Sequence, residues 1–326
     1  MTDSSRRNFV RFLAASPVFA TAGLDHATLA RLFSGNNRDQ SEAFGLIDEL
    51  TQEPRLIAAP GEALDVFDFE PVAKKKIPIA HWGYLITGTD DDATIKANRD
   101  GYTKWALRPR RLVDVSKLDT SVTLLGNKYD TPIVLCPLGS QKAFNPLGEI
   151  AVARAAKAKN HLQVLSTVAT SSIEDVIAAR GAPVWWQLYA RDDWNQTRAM
   201  IKRAEAAGAP AVVFTVDLIG GSNRETMFRE AMNDTREGSN CHLGGHPAPG
   251  VSGKVDDRDN RRKPALAVQA PGTPIPEVGT PTWDFVKRIK DTTSMKVFVK
   301  GLVTSDDAEL AIEHGASGMF VSNHGG

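Results

Sequence analysis

The 326-residue chain has only two cysteines, Cys136 and Cys241, too few for a disulfide framework. It has no charge of either sign to spare: 39 Lys plus Arg against 39 Asp plus Glu. That balance gives no net field to draw the chain to nucleic acid or an anionic membrane. The run Lys74-Lys75-Lys76 reads as a solvated face. Long apolar runs are also missing. The longest stretch near the N-terminus, Phe12 to Ala22, is shorter than the roughly 20 residues that span a bilayer. With 42% hydrophobic and 24% charged residues, what remains is a globular chain large enough for one barrel-sized domain with additions.

Residues 1–23 read as a targeting segment. Ser5-Arg6-Arg7-Asn8-Phe9-Val10-Arg11 resembles the twin-arginine export motif, and Ala20-Thr21-Ala22 offers a small-residue cleavage site. That route carries folded proteins, so it predicts a periplasmic or exported product; without it the chain is cytoplasmic. Residues 24–130 form an N-terminal extension and helical lead-in.

From residue 131 the pattern changes. Short apolar runs, Pro132 to Cys136, Leu162 to Ser166, Val184 to Tyr189 and Ala211 to Asp217, alternate with helical segments, as parallel βα repeats do. The alternation fails over a loop at 218–282 rich in Gly and Pro, then resumes with a helix from Trp283 and strands at Val297 to Lys300 and Gly318 to Ser322. Thr304 to Asp307 supplies capping residues for the helix between those last two strands. The leading fold is an α/β chain of the (β/α)8 TIM-barrel type with about six strands present. Chemistry in such folds collects at the carboxyl ends of strands, where Lys300 and His324 fall.

The stretch from Val299 to Gly325, with Lys300, Thr304, Asp307, Ala308, His314, Gly315 and Ser322-Asn323-His324-Gly325, resembles the FMN-dependent 2-hydroxy acid oxidase and dehydrogenase family. Gln187-Leu188-Tyr189 and Thr215-Val216-Asp217 match the same family. The resemblance implies FMN as cofactor and oxidation of a small L-2-hydroxy acid of lactate or glycolate type. The electrons would pass to oxygen, a quinone or a cytochrome, and the family often forms tetramers, which makes a homo-oligomer an open expectation. It assigns His324 as the base and Asp217 as partner of the imidazolium. Lys300 is the cation at the flavin N1–C2 edge, and Arg224 and Tyr189 hold the substrate. Pro137, Leu138, Gly139, Ser166, Gln187 and Thr215 line the flavin. Gly139 stands where alanine is more frequent, which predicts open space beside the flavin. At the position of the family's active-site tyrosine the alignment sets Trp82, with Tyr84 two residues on.

The family's barrel continues beyond the position of Gly326 with a second active-site arginine and a phosphate site after the seventh and eighth strands. The chain therefore reads as C-terminally truncated. Two other readings stay open: an inactive fragment or interaction remnant without flavin, and another FMN barrel enzyme, against which the combined motifs argue. Cys241, His242 and His246 are too few for a closed metal site, so no metal is expected.

Overall fold

The computed structural model describes residues 55–218, 223–233 and 281–326. The twin-arginine stretch, most of the 218–282 loop and Cys241, His242 and His246 lie outside them. The chain divides into two compact units, Met1–Lys75 and Lys76–Gly326. In the first, two short 3-10 turns, Pro60–Glu62 and Val66–Asp68, lead into helix α1, Phe69–Lys76, whose last residue is the first of the second unit. Asp65 caps the second turn by accepting from the Phe67 amide at 2.8 Å. No helix among the described residues is long and apolar enough to cross a membrane.

The second unit opens with helices α2 (Ile79–Ile86) and α3 (Ala93–Asp100), then a hairpin of β1 (Val122–Leu124) and β2 (Asn127–Tyr129). Six parallel strands follow: β3 (Val134–Leu135), β4 (Leu162–Leu165), β5 (Trp185–Leu188), β6 (Ala211–Thr215), β7 (Lys296–Leu302) and β8 (Gly318–Val321). They pair in sequence order. Helices α4 (Glu149–Ala158), α5 (Ile173–Arg180), α6 (Trp194–Ala206), α7 (Glu225–Met232), α8 (Asp284–Thr292) and α9 (Ser305–Glu313) are the remaining α-helices among the described residues. This is the strand-by-strand winding of a (β/α)8 barrel, with six of its strands and five of its βα units among the described residues. The first strand is shorter than its apolar run, and Cys136 is exposed beyond it.

The helix ends follow local chemistry. Thr304 accepts from the Asp307 amide at 3.2 Å to start α9, with Asp306 and Asp307 in the first turn, where the helix dipole favours them. Ser172 does the same for α5 through the Asp175 amide.

Strand alternation divides the core in two. One set, including Leu165, Trp186, Leu188, Val212, Phe214, Val297 and Val299, packs with Ile173, Ile201, Ala204, Ile289 and Ala311 from the helices. The other set, Leu162, Val164, Trp185, Ala211 and Val213 with Val134, Phe298 and Phe320, faces the concave side. Tyr129, Val122 and Leu124 of the hairpin pack on that set. They meet residues at strand beginnings, so the hairpin covers the N-terminal end of the sheet and leaves the opposite end for a site.

Lys300 and Gly301 sit at an irregularity in β7, where the register with β8 slips between Lys300 and Leu302. Val297 and Val299 face the helices, and so does Leu302, which strict alternation would turn inward. Gly301, at φ +107°, absorbs the extra residue.

Candidate active site

The concave face continues toward the strand ends with polar residues in place of apolar ones. Two residues on from Val164, Trp185, Val213 and Phe298 come Ser166, Gln187, Thr215 and Lys300, all buried. The first three join across adjacent strands. The Ser166 hydroxyl donates to Gln187 Oε1 at 3.1 Å, and Gln187 Nε2 donates to Thr215 Oγ1 at 3.0 Å. The Thr167 amide also donates to Gln187 Oε1 at 3.2 Å, and its hydroxyl donates to the Gln187 carbonyl at 2.5 Å. Thr167, missed in the sequence, fixes the Gln187 amide from the neighbouring strand.

At the rim stands a charged group. His324 Nδ1 lies 2.7 Å from Asp217 Oδ1 and 3.3 Å from Lys300 Nζ, and Lys300 Nζ lies 3.2 Å from Asp217 Oδ2. An ammonium and a carboxylate cannot both find what they need from the same ring nitrogen. The carboxylate only accepts, so Nδ1–H donates to Asp217 and Lys300 donates to the other carboxylate oxygen. That leaves the Nε2 lone pair for the Tyr189 hydroxyl at 3.1 Å. Burial pushes the Asp217 carboxyl up, but the bond from His324 and the charge of Lys300 outweigh it and hold it below the usual range. Burial, with Tyr84 and Asp217 nearby, pushes the Tyr189 hydroxyl well above its ordinary value, against the pull of Arg224. Tyr189 is therefore a neutral donor at any working pH. His324 itself adopts φ +65°, with its amide bonded to Ser322 Oγ at 3.0 Å. This left-handed backbone aims the ring back over the strand ends.

Arg224 reaches the same rim from the start of α7, its guanidinium carbon 5.5 Å from the centre of the Tyr84 ring. The loop before α3 sets this position: the Asp90 amide donates to the Asn223 carbonyl at 2.7 Å, Asp90 bridges to Arg224, and Thr226 bonds Asp92. Helices α2 and α7 pack closely because residue 83 is glycine; a Cβ there would lie 2.7 Å from Glu230 Cβ.

Trp82 is buried, at 5% exposure, and Tyr84 lies under Arg224. Residues two apart on an α-helix point about 200° apart, so the two rings leave α2 on different sides. One expectation needs correction. Gly139 does not leave open space: a Cβ there would sit 2.5 Å from Val168 Cγ2. Val168 fills the gap from the loop after β4. Gly139→Ala is expected to lower stability by about 1–3 kcal/mol through overpacking, and adding Val168→Ala should restore part of it. Denaturation of the single and double variants checks this; an unaltered single variant would contradict the packing.

Residues 73–326 match the family described as FMN-dependent dehydrogenase. The chain belongs to that family. It is 37% identical over 262 residues to a peroxisomal (S)-2-hydroxy-acid oxidase of Oryza sativa subsp. indica, covering 80% of this chain and 68% of the relative. Glycolate oxidase 1 of the same rice is 36% identical over 265 residues, covering 81% and 69%. Among solved structures, mandelate oxidase with 3,3-difluoro-2-hydroxy-3-phenylpropionic acid superposes with a TM-score of 0.64 at 28% identity, covering 81% of this chain and 69% of that one. The chain is thus an FMN-dependent oxidoreductase with a TIM-barrel fold.

The donor set fits FMN. Ser166, Gln187 and Thr215 present hydroxyl and amide groups in one row across three strands, suited to the polar edge of a planar ring. Lys300 sets a buried cation at the end of that row.

Proposed function

We propose that this member of the FMN-dependent dehydrogenase family oxidises a small L-2-hydroxy acid, of lactate or glycolate type, to the 2-oxo acid. The relay Asp217–His324–Tyr189, with contacts of 2.7 and 3.1 Å, carries the reading. Nδ1 is committed to Asp217, so Nε2 takes the proton of the substrate hydroxyl, and the imidazolium so formed rests against a carboxylate already in place. Tyr189 donates to the substrate oxygen when substrate displaces its bond to Nε2. Arg224, on its support of Tyr84, receives the substrate carboxylate with a planar fork of donors. Ser166, Gln187 and Thr215 would hold the flavin ring, with Lys300 at its N1–C2 edge and Pro137, Leu138 and Gly139 beside it. FMN, when bound, supplies the two-electron acceptor for the hydrogen leaving the α-carbon. The final electron acceptor would be oxygen, a quinone or a cytochrome.

Arg224→Lys tests the clamp. A point charge cannot replace a fork, so the KM for the acid is expected to rise about tenfold or more, with a smaller fall in kcat. An unaltered KM would contradict the role given to Arg224.

A further inference from the structure

We propose that Glu149, a residue outside the relay and the flavin row, is a positioning residue that fixes the two loops on the flavin side of the barrel. This inference rests on the flavin reading of Pro137–Gly139 and Ser166. Glu149 is fully buried at the first position of α4. Its four hydrogen-bond partners among the described residues all donate and none carries a charge. The Thr170 amide and hydroxyl lie at 2.9 and 2.7 Å, the Ser171 hydroxyl at 2.9 Å, and the Gln141 amide at 3.4 Å. Gln141 belongs to the loop after β3, which carries Pro137 to Gly139; Thr170 and Ser171 belong to the loop after β4, which begins at Ser166. One carboxylate therefore ties the two loops together.

The loops are joined all along their length around it. The Ser140 amide donates to the Val168 carbonyl at 3.0 Å, and the Lys142 amide to Thr170 Oγ1 at 3.2 Å. Ser166 Oγ, besides bonding Gln187, accepts from the Val168 amide at 3.2 Å. The chain of contacts runs from Glu149 through Thr170 and the loop to Val168, and so to Ser166 and Gly139. A carboxylate suits this place for two reasons. It accepts from four directions at once, and the N-terminus of a ten-residue helix favours negative charge there. Glutamine keeps the shape and one acceptor oxygen, and the hydroxyls of Thr170 and Ser171 can turn to accept from its amide. Leucine takes the acceptor from the buried Thr170 amide and from the part-buried Gln141 amide.

The test compares Glu149→Gln, Glu149→Leu and the pair Thr170→Val with Ser171→Ala. Each is measured for thermal melting of the apo chain and for FMN affinity by quenching of flavin fluorescence. Glu149→Leu is expected to raise the FMN dissociation constant about tenfold or more, with Glu149→Gln recovering most of the loss. Should the leucine variant fail to fold, the Thr170/Ser171 pair, which keeps the carboxylate, gives the same reading through a several-fold loss of FMN affinity. If these variants melt earlier yet bind FMN as the parent does, Glu149 is structural only and the inference is overturned. Ser166→Ala separates the two failures. If it weakens FMN binding while the Glu149 and Thr170/Ser171 variants do not, only the positioning role fails; if it too has no effect, the flavin reading of this face fails, and the inference with it.

Discussion

Replacing His324 with alanine is expected to slow anaerobic flavin reduction by the hydroxy acid about 10³-fold, within the range for loss of a general base. FMN should still bind, because Ser166, Gln187 and Thr215 bond one another and not the imidazole. The size follows from how much is arranged for this one ring. Asp217 fixes its tautomer at 2.7 Å, Lys300 balances the second carboxylate oxygen, and Tyr189 holds the lone pair in line. Asp217→Asn should act in the same direction, since an amide turned to offer its NH2 reverses the bond to Nδ1. Stopped-flow absorbance of the FMN-loaded protein reads the effect. A His324→Ala rate within tenfold of the parent would remove the histidine from the chemistry.

The second large effect is expected at Gly301. Two penalties coincide there: φ is +107°, and a Cβ would lie 2.5 Å from Asp217 Cβ and 2.6 Å from its Cγ. Gly208 separates them, because it also has positive φ, +91°, with nothing within 4 Å of its added Cβ. Gly208→Ala should therefore cost about 1 kcal/mol for backbone conformation alone. Gly301→Ala should cost about 3 kcal/mol, the overpacking coming on top. Only the Gly301 variant should also slow flavin reduction, because the atom it displaces is the carboxylate that orients His324. Urea denaturation and reduction kinetics of both variants give the comparison. Equal losses of stability, or an unaltered rate in Gly301→Ala, would show that Asp217 yields freely.

The parallel strands were legible because strands buried on both faces are continuous apolar runs, as in Ala211 to Thr215. The start of α9 was legible because Thr304 and Asp307 spell a cap. The hairpin was not, since its strands have three residues each and its central residues Leu125 and Gly126, both at positive φ, lack the usual Asn-Gly signal. Helix α7 begins where the Gly- and Pro-rich stretch had been read as loop, so the element that presents Arg224 was hidden by the composition around it.

Trp82 and Tyr84 are near neighbours in the chain but far apart in helical phase, which a linear match does not carry. Gly139 promised space only because the residue that fills it, Val168, comes from the next loop. By contrast, Ser166, Gln187, Thr215 and Lys300 were named in advance by the resemblance of their motifs to the family's, whereas period-two alternation by itself related only Gln187 to Tyr189 within one strand.

The most direct test of the central claim is the absorbance of the 326-residue chain, mixed with FMN, desalted and made anaerobic, before and after L-lactate and glycolate. Retained flavin that is bleached by one of these acids and not by D-lactate is the expected result. Retained flavin that no L-2-hydroxy acid bleaches would contradict it.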